Sequence, residues 1–407
     1  MIRFGFDDIE TMESKDKCIC FHLNDDLYKF EKNLTQNYIE KNESFVYPIL
    51  IWNNDIFLNK INVTIPENVI NQVRLNKCKI VMFYITEPWF MYEYCYKWLS
   101  DFSIKNGLDR HNFIFVSSNL VSEEIKNKYV TDNIIEDNFT IIGFNYFFHR
   151  LWFHKYNFHR DFSEDFYNEV LNKNLSKQKE TPKEKHFLCF NRKPHDHRVA
   201  IFAEIMTNPK LKEKTIITLG KEELIHGQHF KESIRRFIGT NYKYGSDRLY
   251  NFIDSYNGQD DYLYDTPSHT DEQSIYINLD AQSKTFCNIV TETLTSENLL
   301  FFSEKIIKPI FSLQPFIIIG NRNSLKKLKE YGFKTFDRWW DESYDELFYQ
   351  NRFEKIVELL MEISKWDDNK INETLLEMEE TLIHNYNTLR EDNATKLFFN
   401  EFLKYNK

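Results

Sequence analysis

The sequence predicts an α/β chain built as two Rossmann-like domains with a cleft between them. Three observations predict it. The chain has 407 residues, more than one core of roughly 100 to 200 residues accommodates. Short apolar runs followed by polar turns and amphipathic stretches recur from end to end, the pattern of strands and helices alternating around parallel sheets. One polar run, Ser176 to Lys185, interrupts that series near its middle. With 42% hydrophobic and 16% aromatic residues, the chain has apolar surface enough for two cores, which excludes a disordered protein.

In the first half, strands are expected at Val46 to Trp52, Lys79 to Ile85, Asn112 to Val116 and Phe139 to Gly143, with helices over Tyr92 to Asn106 and Leu120 to Tyr129. A helix from Glu164 to Leu175 then leads into the polar run 176–185, which has no apolar side of its own and reads as an interdomain linker. Beyond it, Phe187 to Phe190 is a strand, Asn191 to His197 a turn and Arg198 to Met206 a helix. Further strands follow at Thr215 to Leu219, Ser283 to Thr291 and Pro315 to Gly320. Amphipathic helices close the chain, at Phe353 to Ile363 and, with interruptions, Ile371 to Tyr405. The expected domains are therefore 1–178 and 184–370, with C-terminal helices over 371–407 of a kind able to return across the first domain.

A net charge of −10 repels phosphate backbones overall, so nucleic-acid binding needs a local basic face. The six cysteines show no CxxC pair, which suits a reducing compartment and argues against structural zinc. Met1 to Asp8 opens no apolar stretch of signal-peptide length, and Leu299 to Ile319 is broken by Glu304, Lys305 and Lys308. Neither a signal peptide nor a transmembrane segment is expected, and the expected location is the cytoplasm, the host's if the source is viral. Heavy use of Asn, Lys, Ile and Phe suggests an AT-rich viral or bacterial genome. Only ten glycines occur, with neither GxGxxG nor GxxxxGK[ST], so a bound nucleotide must be held without a glycine-rich loop.

The most informative stretch is Phe286-Cys-Asn-Ile-Val-Thr-Glu292-Thr-Leu, followed by Phe301-Phe-Ser303-Glu304-Lys305-Ile-Ile-Lys308-Pro309 and an apolar run to Gly320. A strand ends near Glu292, a loop leads to Ser303 as N-cap, and a helix follows; such junctions are where parallel sheets bind ligands. A helix start with a lysine beside it holds a diphosphate without glycine or metal, and Glu304 can accept hydrogen bonds from ribose or sugar hydroxyls. Pro309 either kinks a helix begun at Ser303 or opens one begun after Lys308. On spacing alone, a solvated helix face is the default reading of these charges.

The segment Phe302 to Gly320 resembles the donor-site motif of the α-1,3-fucosyltransferases, glycosyltransferase family 10, in which a Thr-Glu-Lys triplet opens a helix. It is more similar still to a group of phage and bacterial glycosyltransferase-like proteins with Glu-Lys-x-x-Lys-Pro-Ile, followed by Gly-Phe-Lys-Thr-Phe and Trp-x-Asp-Glu-Ser-Tyr-Asp, here Gly332 to Phe336 and Trp339 to Asp345. The resemblance implies the GT-B fold, with an acceptor-side first domain and a donor domain second. It implies a GDP- or UDP-linked sugar as co-substrate, no other cofactor, and an inverting transfer to a glycan or lipid-linked glycan hydroxyl. It places Ser303, Glu304 and Lys305 at the donor, with Glu292 approaching the sugar. It also implies an arginine opening the second domain, Arg198 or its competitor Arg192, in Asn191-Arg192-Lys193-Pro194-His195-Asp196-His197-Arg198.

No two aspartates stand two residues apart, so the Asp-x-Asp metal clamp is missing and no metal is expected; organised positive charge replaces it. His195-x-His197 lacks a third partner and reads as a loop exposing two ordinary histidines. The general base is expected from the first domain, and Glu87 is the candidate, at the end of a strand beside Pro88 and Trp89. Two other readings stay open. A basic strip near Arg235, Arg236, Lys243 and Arg248 suits DNA bases as acceptor, and the fold also accommodates an inactive sugar-binding or scaffold module.

Overall fold

The computed structural model describes residues 2–8, 30–51, 56–58, 62–85, 90–148, 164–220, 230–239, 242–254, 256 and 277–405. The chain divides into two compact units, Met1–Leu151 with Ala394–Lys407, and Trp152–Asn393. Each is α/β around a parallel sheet, the fold class the sequence predicts.

In the first unit β1 (Ile2–Phe6), β2 (Phe30–Leu34), β3 (Phe45–Leu50), β4 (Cys78–Tyr84), β5 (Phe113–Ser117) and β6 (Thr140–Gly143) pair in parallel in the order β2-β1-β3-β4-β5-β6. The strands read as unbroken apolar runs because both faces are covered. Ile80, Met82 and Tyr84 enter one core with Phe113 and Phe115, while Val81 and Phe83 enter the other with Ile114 and Val116, as a period of two requires. That second core includes Phe398, Phe399 and Phe402 of the helix Asn393–Tyr405.

β1 and β2 are not legible in the sequence because charge interrupts them. Arg3 lies opposite Glu31 in the register, and Arg3 Nε donates to Glu31 Oε2 at 3.1 Å, so the charges are matched across adjacent strands.

In the second unit β7 (Lys185–Asn191), β8 (Thr215–Leu219), β9 (Thr285–Thr291) and β10 (Phe316–Ile319) form a parallel sheet of order β10-β9-β7-β8. The polar run expected as a linker is corrected in part: residues 176–180 continue the helix Glu164–Glu180, and Lys185 already opens β7. Asn174 Nδ2 and Gln178 Nε2 donate to the carbonyls of Phe311 and Ser312 at 2.8 and 2.7 Å. These are orphan groups at the end of the helix Glu304–Phe311, which needs such donors. The unit boundary falls at Leu151/Trp152 rather than 178/184. The tail does not act as one piece: Asp368–Glu391 belongs to the second unit, where Tyr386 Oη donates to Tyr167 O, and only the last helix belongs to the first.

Candidate functional site

The order β10-β9-β7-β8 makes the chain leave β7 towards β8 on one side, while β9 and β10 lie on the other. The carboxyl ends of β7 and β9 therefore flank the topological switch point, the place where ligands settle in such sheets. β7 passes through residues 192–195 into the helix Asp196–Thr207; β9 passes through Glu292 and residues 293–302 into the helix Glu304–Phe311.

Arg198, 3% exposed, sits in the first turn of its helix and reaches across to the end of β9. Nη2 donates to Glu292 O at 2.8 Å and Thr291 O at 3.2 Å, and Nη1 to Lys193 O at 3.2 Å. His197 Nε2–H donates to the same Glu292 carbonyl at 2.8 Å. Burial lowers the guanidinium to about 10 against the opposing pull of Glu304 and Glu292, so it remains charged at neutral pH. Among the described residues its Nε has no hydrogen-bond partner.

Glu292 is fully buried and joins this helix to the next. Oε2 accepts from Ser303 Oγ at 2.6 Å, Ser303 N at 3.1 Å and Thr293 N at 3.3 Å, while Oε1 has no hydrogen-bond partner among the described residues. Burial raises its carboxyl, only partly offset by Lys305 and the Ser303 hydroxyl. Gly320 lets β10 pass this close: a Cβ there would lie 2.9 Å from Ile318 Cγ2 and 3.2 Å from Glu292 Cγ.

Ser303 Oγ also accepts from Lys305 N at 3.3 Å, so the N-cap forms where the sequence places it and the helix runs through Pro309. Lys305 Nζ contacts Glu304 Oε1 at 2.6 Å and the hydroxyls of Ser303 and Thr293 at 3.4 and 3.5 Å. The side chains of Lys305 and Glu304 keep 24% and 15% of their surface exposed, enough to meet a ligand. Burial lowers the ammonium of Lys305. Burial also pushes Glu304 up, but Lys305 and Lys308 outweigh it and leave the carboxylate low.

The structure thus joins Arg198, Glu292, Ser303, Glu304 and Lys305 in one network. Asn191 is buried in it as a tie between strands: its Oδ1 accepts from Thr291 Oγ1 at 2.6 Å and its Nδ2 donates to Cys189 Sγ at 3.3 Å. Arg192 is exposed on the loop. Glu87 lies outside the described residues. The histidines require a correction, since His197 is 2% exposed and hydrogen-bonded, not an ordinary surface residue. Sequence reasoning also missed Thr293 and Gly320; the only signal was their nearness to Glu292 and to the end of a strand.

The basic strip is largely consumed by acids. Arg236 makes a two-pronged contact to Asp196 at 3.0 and 2.8 Å, Lys243 pairs with Glu358, and Arg248 with Glu204. Among the described residues no group of three or more His, Cys, Asp or Glu is placed to hold a metal ion, and no helix is long and apolar enough to cross a membrane.

No described protein family and no curated protein matches the sequence. Among solved structures, the chain is similar to a UDP-forming α,α-trehalose-phosphate synthase from Burkholderia xenovorans in complex with glucose-6-phosphate, at 8% identity and TM-score 0.44, over 91% of this chain and 75% of that one. The corresponding enzyme of Burkholderia vietnamiensis matches at 9% and 0.43, over 96% and 82%. The N-terminal domain of Candida albicans trehalose-6-phosphate phosphatase matches at 10% and 0.44, over 99% and 89%. Identities of this size say nothing about substrate.

Proposed function

We propose that the chain is a metal-independent GT-B glycosyltransferase that moves a hexose from a GDP- or UDP-linked donor to a hydroxyl of a glycan or lipid-linked glycan, with inversion, in the cytoplasm. One observation carries the reading: at the switch point between β7 and β9, Arg198, Lys305 and the starts of two helices share a single hydrogen-bonded network centred on Glu292. Two cations and two helix dipoles favour a diphosphate, and such organised charge stabilises the same group as it departs. The Lys305 ammonium is available to that anion in exchange for its contacts to Glu304 and hydroxyls. Glu304 is assigned to ribose or sugar hydroxyls, and Glu87 to deprotonation of the acceptor. The fucosyltransferase-like Glu304-Lys305 pair supports this reading of the donor side. The pairing of Arg236, Lys243 and Arg248 with acids weakens the alternative of a DNA acceptor.

The test is nucleotide release from a panel of GDP- and UDP-sugars in EDTA, with and without oligosaccharide acceptors. Release from one donor, accelerated by an acceptor and lost in Lys305→Ala, is expected. Absence of release from every donor would leave the fold as an inactive sugar-binding or scaffold module.

A further inference from the structure

We infer that His195 is a further contact to the donor's diphosphate, a neutral imidazole that takes up a proton from solvent as the anion binds. This rests on the diphosphate reading above and adds to it a residue and a pH dependence.

His195 occupies the N-cap position of the twelve-residue helix Asp196–Thr207, yet its side chain makes no capping bond. Its ring stacks on that of His197, 6.2 Å between centroids and 9° between planes. His197 is itself locked by its bond to Glu292 O, so the half-buried His195 imidazole is held in place at the edge of the network. A ring so placed, not engaged in capping the helix it opens, is poised for a group arriving from outside.

The charges around it explain why it is neutral. Burial is the largest influence, and Arg198, Lys305 and Lys193 add to it, lowering the imidazole to about 3. The carboxylates nearby are committed elsewhere. Asp196, its neighbour in sequence, gives both oxygens to Arg236 of the helix Phe230–Ile238; Glu292 is bonded to Ser303 and Thr293; Glu304 is paired with Lys305, with Lys308 adding its charge. His197 is held neutral by burial and by Arg198. A diphosphate reverses this field. One negative charge at about 4 Å raises an imidazole by roughly three pH units at an effective dielectric near 20, and a diphosphate brings more than one. The anion therefore favours the protonated imidazole that burial and the neighbouring cations disfavour in its absence.

The test is calorimetry of GDP and of UDP binding to the full chain at pH 6.5, in buffers of different ionisation enthalpy, for wild type and His195→Gln. Per nucleotide bound, wild type is expected to take up more protons than His195→Gln, by about half a proton or more. Its affinity is expected to rise by up to roughly tenfold relative to that of His195→Gln between pH 8 and pH 6. His195→Gln still binds, because Arg198 and Lys305 remain. Equal proton uptake in the two proteins overturns the inference while leaving the donor site intact. Absence of binding by either nucleotide to wild type overturns the functional reading and this inference together. Should His195→Gln fail to fold, an affinity of wild type that does not strengthen between pH 8 and pH 6 refutes it independently.

Discussion

Replacing Ser303 by alanine removes one hydroxyl with two duties. It caps the helix Glu304–Phe311 through Lys305 N, and it donates to the buried Glu292 carboxylate at 2.6 Å. Loss of an N-cap costs about 1 kcal/mol, and loss of a hydrogen bond to a buried charge about 1.5–3 kcal/mol, so Ser303→Ala loses about 2–4 kcal/mol. For a unit of this size that is a fall in melting temperature of about 5–15 °C. A double-mutant cycle with Glu292→Gln isolates the second duty. The neutral amide strands no charge when the hydroxyl goes, so Ser303→Ala should cost about 1 kcal/mol or more less in that background. Thermal unfolding of the four proteins followed by circular dichroism measures it. Additive losses would refute the claim that Ser303 serves the Glu292 carboxylate, and a Ser303→Ala protein that melts like wild type would refute the N-cap as well.

Lys305→Ala should weaken GDP or UDP binding about 10- to 100-fold, the worth of one charge-assisted contact, and should also lower the melting temperature of the free protein, because it leaves Glu304 without its partner; calorimetric titration and a thermal melt check the two. Glu342 is held by burial at about 7 against an ordinary 4.5. The folded state thus keeps this proton longer than the unfolded chain, and stability from this group falls as pH rises from 4.5 towards 7 and stays lost above. Glu342→Gln should therefore melt higher than wild type at pH 8, by about 2 kcal/mol of stability, and show no gain at pH 4.5. Gly320→Ala drives a methyl against Ile318 and Glu292 and should cost about 1–3 kcal/mol, read as a lowered urea midpoint. EDTA at millimolar concentration should leave nucleotide release unchanged.

Strands buried on both faces were the most legible part of the fold. Ile80 to Tyr84 and Phe113 to Val116 leave no room for a polar face, and each falls within an observed strand. β1 and β2 are not legible in the sequence because Arg3 and Glu31 neutralise one another only once the two strands pair. The run 176–185 has the composition of a linker, yet Gln178 spends its amide on a carbonyl of another helix and Lys183 donates to Ser283 O at 2.6 Å; only the tertiary partners distinguish the two. At the site, Ser303-Glu304-Lys305 was readable from cap chemistry and from a motif. The centrality of Glu292 and the burial of His197 were not, since both depend on β9 lying beside β7, a pairing between residues about a hundred positions apart that no local pattern records.

The central claim is that Arg198, Lys305 and two helix starts form a nucleotide diphosphate site without metal. A thermal-shift screen of the purified chain against GDP, UDP, CMP and their sugars, in EDTA, tests it most directly, because a ligand that binds only the folded state must raise its melting temperature. Stabilisation by a nucleoside diphosphate that is reduced in Lys305→Ala is the predicted result. Stabilisation undiminished in Lys305→Ala, or stabilisation that requires added divalent metal, would contradict it.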